Sequence, residues 1–402
     1  MDNAVRRTMK ILVANLGSTS FKYRLFDMAD ERQLARGGVE RIGSASSPCF
    51  VEMGGQRREL FASVADHAEA VRRCLSQLTD PVSGCLQEAR EVTAIGFKAV
   101  HGGRISGVQR VTPALLDAMA EMNDVAPAHN PPYIAAMRLL GEQLPEIPLI
   151  AAFETGFHQT VPDAQRYYAI PRDWSDEFSI RRFGFHGASH RYIADRMAQL
   201  TGRRDLRIIC CHLGGSSSLC AIRDGMSVGT SMGMSPQTGL PQNNRVGDFD
   251  PFAIPLIMQR TGMSLGEVLA ALANRSGLLG LSGVSGDIRD LEQAAAAGNA
   301  HARLALDVYT SEIRRHFGGL LVALGGADAI VFTGGIGENA ASIRQAVCRD
   351  LSELGIELDH QLNAQARGEM CLHGPTSRVQ IWVVPTNEEL VVARQAVELL
   401  EE

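Results

Sequence analysis

Hydrogen-bond donors and positive charges crowd the glycine-, serine- and proline-rich motifs of this 402-residue chain: Lys22, Lys98, His129, His158, His186, His212 and Arg245. Acids in the same motifs are few: Glu154, Asp248, Asp250 and Glu388. A set weighted this way suits chemistry on an anion, because donors and positive charge stabilise a transferring group that carries negative charge. Two of the motifs echo each other. Asn15-Leu16-Gly17-Ser18-Thr19-Ser20 aligns with His212-Leu213-Gly214-Gly215-Ser216-Ser217. Each follows an apolar strand and precedes a second one. Their glycines let backbone N–H groups approach a ligand, as a polyphosphate requires.

The elements that must carry these turns are strand–turn–strand hairpins, over 10–27 and over 207–225. One hairpin opening each half of the chain suggests a duplicated domain, with the two turns facing across a cleft. Between them, the pattern predicts a helix over 62–78, a strand over 92–100 and a helix over 112–122 with Thr112 as N-cap and Pro113 first. A rigid loop over 125–132, a strand over 148–153 and a helix over 191–200 follow. A long helix over 299–324 carries Tyr309, Ile313, Phe317, Leu320 and Leu324 on one stripe, which reads as core. The chain closes with a strand over 381–384 and a helix over 387–399.

A third glycine motif, Gly334-Gly335-Ile336-Gly337-Glu338-Asn339, follows the strand 329–332. With Ala340 it contains G-x-G-x-x-A, the dinucleotide pattern. Too little chain remains after 346 for that fold, so the turn reads as a platform for a purine nucleoside. His186 and His190 have helical zinc spacing, but Gly187 between them and the lack of a third ligand nearby set zinc aside. His158 has a plain alternative as a hydrogen-bonded hinge residue, and His101 as core. Asp248 and Asp250 read as braces for Arg245. Thr386 to Glu389 reads as a capping box, which leaves Glu388 for a metal.

Composition bounds the rest. The length predicts two to three domains. Net charge is −6, so nothing attracts nucleic acid or membrane. No apolar run reaches the ~18 residues of a membrane span, and the polar start is no signal peptide. The eight cysteines lack CxxC spacing and read as reduced in a cytoplasmic protein. Adjacent Cys210 and Cys211 should face opposite sides of their strand.

With its glycine turns in this order, the sequence resembles the acetate kinase family of the actin-like and sugar-kinase-like ATPases. The matching segments are NLGSTSFK, VHGG, APAHNPP, FHQTVP, FGFHGASH, CHLGGSSS, TSMGMSP, RVGDFDP, SGVSGDIRDL, FTGGIGEN and PTNEEL. The resemblance implies an α/β fold of two duplicated actin-like (ribonuclease H-like) domains with an interdomain cleft. One would span 1–156, with 389–402 packing back on it, and the other 157–388. It implies a homodimer, ATP/ADP with Mg²⁺, and reversible phosphorylation of a short carboxylic acid such as acetate. A carboxylate is already ionised near pH 7, so no general base is needed.

By resemblance, His186 touches the phosphoryl group, and Arg245 and Lys98 hold the acid and the transferring group, with Glu154 and His129 beside them. Asn15, Ser18, Ser20 and Lys22 line the first phosphate turn, and His212, Gly214 and Gly215 the second. Gly335, Gly337 and Asn339 lie at the adenosine, with Asp287 and Arg289 near base and ribose. Asn15, Glu388 and Glu154 serve Mg²⁺. Val100, Ala128, Phe185 and Pro236 wall the acid pocket.

This chain departs from the family pattern at Lys98 (commonly Arg), Glu154 (Asp), Gly215 (Asn), Ala128 (Leu) and Gln242-Asn243-Asn244 (Met-Gly-Thr). Lys98 and Glu154 read as a compensating pair, the longer acid reaching the altered base. A nucleotide-binding regulator weakened by these departures is the competing class. A pyrophosphate-dependent kinase would not need the intact third turn.

Overall fold

The computed structural model describes residues 9–17, 19–127 and 129–402. Two compact units emerge: the chain up to Gly156 together with Asn387–Glu402, and Phe157–Thr386.

The first unit is built on an eight-stranded sheet. Its strands are β1 (Lys10–Gly17), β2 (Ser20–Asp27), β3 (Arg32–Glu40), β4 (Ser47–Met53), β5 (Gln56–Ala62), β6 (Val92–Ala99), β7 (Val108–Arg110) and β8 (Leu149–Phe153). Their order is β5-β4-β3-β2-β1-β6-β8-β7. Ile11 to Ala14 are all buried, as befits a strand covered on both faces. The final helix, Glu388–Glu401, packs on β1, β6 and β8, and the helix Asn130–Gln143 also packs on β1. Gly96 lets the final helix press close: a Cβ there would stand 2.9 Å from a Val392 methyl.

The second unit carries β9 (Arg207–His212), β10 (Ser218–Arg223), β11 (Met226–Thr230), β12 (Ala329–Thr333), β13 (Met370–Cys371) and β14 (Gln380–Val383), in the order β11-β10-β9-β12-β14-β13. The same plan recurs in both units. Three strands form an antiparallel meander, and two later strands add in parallel beyond the first: β6 and β8 in one unit, β12 and β14 in the other. The long helix Ala300–Leu324 buries Tyr309, Ile313, Phe317, Leu320 and Leu324, starts on an Asn299 cap and stops at left-handed Gly325. Cys210 and Cys211 enter different apolar clusters, as strand alternation requires. All eight cysteines are free thiols. Among the described residues no helix is long and apolar enough to cross a membrane.

Several elements differ from the sequence reading. The helix expected from 62 begins at His67, because β5 runs to Ala62 and Asp66 supplies the cap. The expected loop over 125–132 turns helical at Asn130, with both prolines in the first turn, where no N–H is needed. The third glycine motif is a short helix, Gly334–Asn339. The last helix is capped by Asn387, whose side chain accepts from Leu390 N–H. No Thr386–Glu389 capping box forms, and Glu389 faces Arg24 at 3.8 Å.

Candidate functional site

In the first unit the β1–β2 hairpin closes tightly, since a Cβ on Gly17 would lie 2.5 Å from Ser20 Oγ. Asn15 sits opposite Lys22 in the ladder. Lys22 is exposed and faces Glu40 at 3.6 Å. Ser18 and Ala128 lie outside the described residues. A residue that sequence reasoning missed, Tyr133, organises the turn. Its hydroxyl donates to Asn15 Oδ1 (3.1 Å) and accepts from Leu16 N–H (3.3 Å).

Lys98 is the hub of this unit's charges. It lies near the end of β6, beside β8, which leads into buried Glu154. Its ammonium bonds Glu388, not Glu154, at 2.5 Å. The direct form of the expected Lys98–Glu154 pair is thus corrected, although Glu154 still adds to the field that keeps Lys98 charged, and Glu388 is not left over for a metal alone. Burial opposes the charge on Lys98. The Glu388 carboxylate and, behind it, Glu154 outweigh burial and hold its pKa above the usual lysine range. His101 is core: its ring accepts from Gly103 N–H, and buried Asn130 ties its carbonyl to that of Met119. His129 stands just before the helix Asn130–Gln143 without capping it by its side chain. Val100 follows β6, half-buried.

In the second unit His186 occupies the left-handed region at φ 57°, rare for a residue with a Cβ and a frequent mark of functional loops. Its surroundings hold it there. His158 donates from Nε2 to the Phe185 carbonyl (2.9 Å) and accepts at Nδ1 from Ser227 (2.8 Å). Burial lowers the His158 pKa to about 4, so it stays neutral. Gly184 is required, because a Cβ would stand 2.6 Å from the His158 ring. His158 is therefore a brace for the loop. The His186 ring stacks on His212, centroids 4.3 Å apart. Ser218 Oγ meets His186 Nδ1 at 2.8 Å, and Ser189 Oγ meets His212 Nδ1 at 2.8 Å. Ser189 and Ser218 were also missed. The register that puts Ser218 opposite His212 could have revealed the second.

Arg245 is half-buried, and among the described residues no carboxylate pairs with it. Burial lowers its pKa, with no opposing anion. Asp248 is engaged elsewhere, by Gly239 N–H (2.8 Å), Arg315 (3.2 Å) and His316 (3.4 Å), and Asp250 accepts from Phe252 N–H, so neither braces Arg245. Gln242 does. It accepts from Arg245 Nη1 (3.2 Å) and donates to the carbonyl of buried Pro236 (2.8 Å). Phe185 is buried too.

A cavity of about 460 Å³ gathers Gly214, Gly215, Asp287, Arg289, Gly335 and Asn339, together with Asn243, Ile288, Glu292, Ile336 and Ala340. Glycine is needed at Gly334 (φ 77°), where a Cβ would hit the Leu213 carbonyl at 2.7 Å. That carbonyl accepts from Ile336 and Gly337 N–H, which ties the third glycine motif to the turn after β9. Gly335 faces open space, but Gly337 is buried behind it and does not line the cavity. Asp287 caps its helix and pairs with Arg289 at 2.6 Å, which lowers its pKa to about 2. Among the described residues no three His, Cys, Asp or Glu side chains converge as a metal site.

A profile described as the acetokinase family matches residues 10–394. The chain belongs to that family. It is 43% identical to the acetate kinase of Natranaerobius thermophilus, over 98% of this chain and all of that one. The crystal structure of Porphyromonas gingivalis acetate kinase matches with a TM-score of 0.89 at 38% identity, covering 98% of this chain and 100% of the other. A propionate kinase from Francisella tularensis matches at 0.87 and 33%, covering 96% and 98%. The fold is the duplicated actin-like ATPase fold.

Membership of the family makes two departures interpretable together. By resemblance to the family pattern, Asn is expected at the position of Gly215 and Gly at the position of Asn243. The positions touch: a Cβ on Gly215 would lie 3.4 Å from Asn243 Nδ2, and Asn243 N–H donates to the Gly215 carbonyl (3.3 Å). One carboxamide thus serves this wall of the cavity from the other side. Gly215→Asn alone should crowd Asn243, and Asn243→Gly alone should remove the amide. The double substitution should recover nucleotide affinity, with an interaction energy of about 0.5–3 kcal/mol in a calorimetric cycle. Simple additivity would show the exchange to be incidental.

Proposed function

We propose that this protein is an ATP-dependent kinase of short carboxylic acids, working reversibly by direct in-line transfer. The observation that carries this reading is Arg245: a half-buried guanidinium with no carboxylate partner among the described residues, aimed by Gln242. Such a group costs stability unless an anion joins it. A carboxylate fits its fork. The substrate oxygen attacks the γ-phosphorus, and the bridging oxygen leaves with its electron pair on ADP. His186 and Arg245 offer hydrogen bonds to the charge on the transferring phosphoryl. The 460 Å³ cavity takes the adenosine.

The donor set of Asn15 Oδ1, Glu388 and Glu154 is all hard oxygen. It fits a Mg²⁺ that keeps waters and phosphate oxygens as its other ligands. When bound, the ion would neutralise β- and γ-phosphate charge. A homodimer is supported by exposed Phe252, Leu256, Leu265 and Leu269, on and beside the adjacent helices Ala253–Thr261 and Leu265–Asn274. The free thiols support a cytoplasmic location.

The test is hydroxamate trapping of acyl phosphate, with ATP and acetate, propionate or butyrate. No hydroxamate from any of them would end the proposal. The resemblance assigns position 128 to the acid pocket with Leu as the commoner residue, and the smaller Ala of this sequence would leave space for one more methylene, worth about 1–3 kcal/mol. Propionate should therefore rival acetate in kcat/KM, and Ala128→Leu should restore acetate preference. A strong acetate preference in the unmodified enzyme would refute the wider pocket.

A further inference from the structure

We propose that Ser218 and His190 are positioning residues that set which ring nitrogen of His186 carries the proton, so that neutral His186 presents an Nε2–H donor. The catalytic consequence rests on the reading of His186 as a donor to the transferring phosphoryl group; the tautomer itself does not.

One hydroxyl joins two imidazoles. Ser218 Oγ stands 2.8 Å from His186 Nδ1 and 2.9 Å from His190 Nε2. It has a single proton to give. Both contacts cannot be donations. Accepting from both rings would leave its own buried proton without an acceptor among the described residues, so it accepts from one ring and donates to the other.

His190 decides between the two. It is fully buried, and its Nδ1 has no hydrogen-bond partner among the described residues. Burial, with His158 and His212 nearby, pushes its pKa well down, so the ring is neutral and carries one N–H. If that proton sat on Nδ1, a buried donor would be orphaned. With the proton on Nε2, only a lone pair goes unmet. Orphaned N–H groups are the rarer and costlier fault. His190 therefore donates from Nε2 to Ser218, and Ser218 donates to His186 Nδ1. The proton of neutral His186 is left on Nε2.

The geometry around the relay keeps it in place. Ser218 is fully buried at the start of β10, opposite His212 in the ladder. His190 is one turn along the helix Gly187–Thr201 from His186, whose carbonyl accepts its N–H at 3.0 Å. The His212 stack restrains the His186 ring. A donor on Nε2 stabilises an anion without the imidazole having to gain a proton, the orienting role that a buried partner plays in other histidine sites.

The test is ¹⁵N NMR of the full-length protein labelled at histidine, with His186 assigned by comparison with His186→Asn. The expected result is unprotonated Nδ1 and protonated Nε2 in neutral His186. The reverse assignment overturns the proposal, and this measurement needs no relay variant to fold. Ser218→Ala should lose the single tautomer and lower kcat about 10- to 100-fold, with KM for ATP and acid changed less than about threefold. His190→Gln, which keeps an N–H near the place of Nε2, should retain both tautomer and most turnover. Unchanged turnover in Ser218→Ala, or a fall in kcat with the tautomer intact, would show Ser218 to be only structural. Full turnover by a His186 variant would remove the catalytic role of His186 and leave the tautomer result standing.

Discussion

His186→Ala loses about 10²- to 10³-fold in turnover and keeps its fold and nucleotide binding. That range is typical when one preorganised donor to a transition state is removed. The fold should survive because the imidazole is half-buried and caps no helix by its side chain. The cavity proposed for the adenosine is lined by other residues. Left-handed backbone at φ 57° adds a cost of its own for alanine. His186→Asn separates the two effects, since asparagine tolerates that region and still lacks the imidazole. Both variants should show the same loss of turnover in a coupled assay, with ADP affinity within a few-fold by calorimetry. Near-normal turnover in either would sink the assignment of His186.

Lys98→Met should lower the stability of the protein by about 1–3 kcal/mol, between the cost of breaking an exposed ion pair and that of breaking a fully buried one, because both partners are part-buried. Glu388, bonded at 2.5 Å, and Glu154 would be left together without the cation between them. Two carboxylates repel in a poorly solvated place. Lys98→Arg keeps the charge and should keep most of the stability. Lys98→Met with Glu388→Met should be more stable than Lys98→Met alone, because the uncompensated charge is gone. Urea unfolding measures all three. A loss below about 1 kcal/mol for Lys98→Met would show the pair to be loosely held. Turnover should fall as well, since the same ammonium is bonded to Glu388, one of the proposed metal ligands.

The hairpins, the glycine turns and the core stripe of the long helix were legible in the sequence because each is written locally. An apolar run, a glycine before serine and a 3.6-residue period need no distant partner. Helix ends were less legible. Thr386 and Glu389 match the capping-box spacing, yet Asn387 is an equally good cap one residue later and took the position. Pro131 and Pro132 read as loop but fit a first helical turn. Partnerships between charges were least legible. Asp248 found Arg315 and His316, far along the chain, in place of Arg245 three residues away. Lys98 found Glu388 in place of Glu154. These choices depend on which side chains the tertiary fold brings within reach and on how much water each keeps, and neither is encoded in spacing. Ser218 and Tyr133 escaped notice for another reason: a buried hydroxyl acts through one or two hydrogen bonds to distant residues and leaves no motif.

The discontinuous first unit has a consequence for synthesis. Lys98 and Glu388 are separated by 290 positions. At about 5–20 residues per second, a ribosome needs roughly 15–60 s to travel between them. During that interval the nascent first unit has no final helix over β1 and β6. Its half-buried ammonium stands without the carboxylate bonded to it in the finished protein. The whole second unit emerges in the meantime, with its strands and helices contiguous in the chain and free to fold first. The unit made first is thus the one completed last, and its apolar strand face is the surface that nascent-chain chaperones would meet.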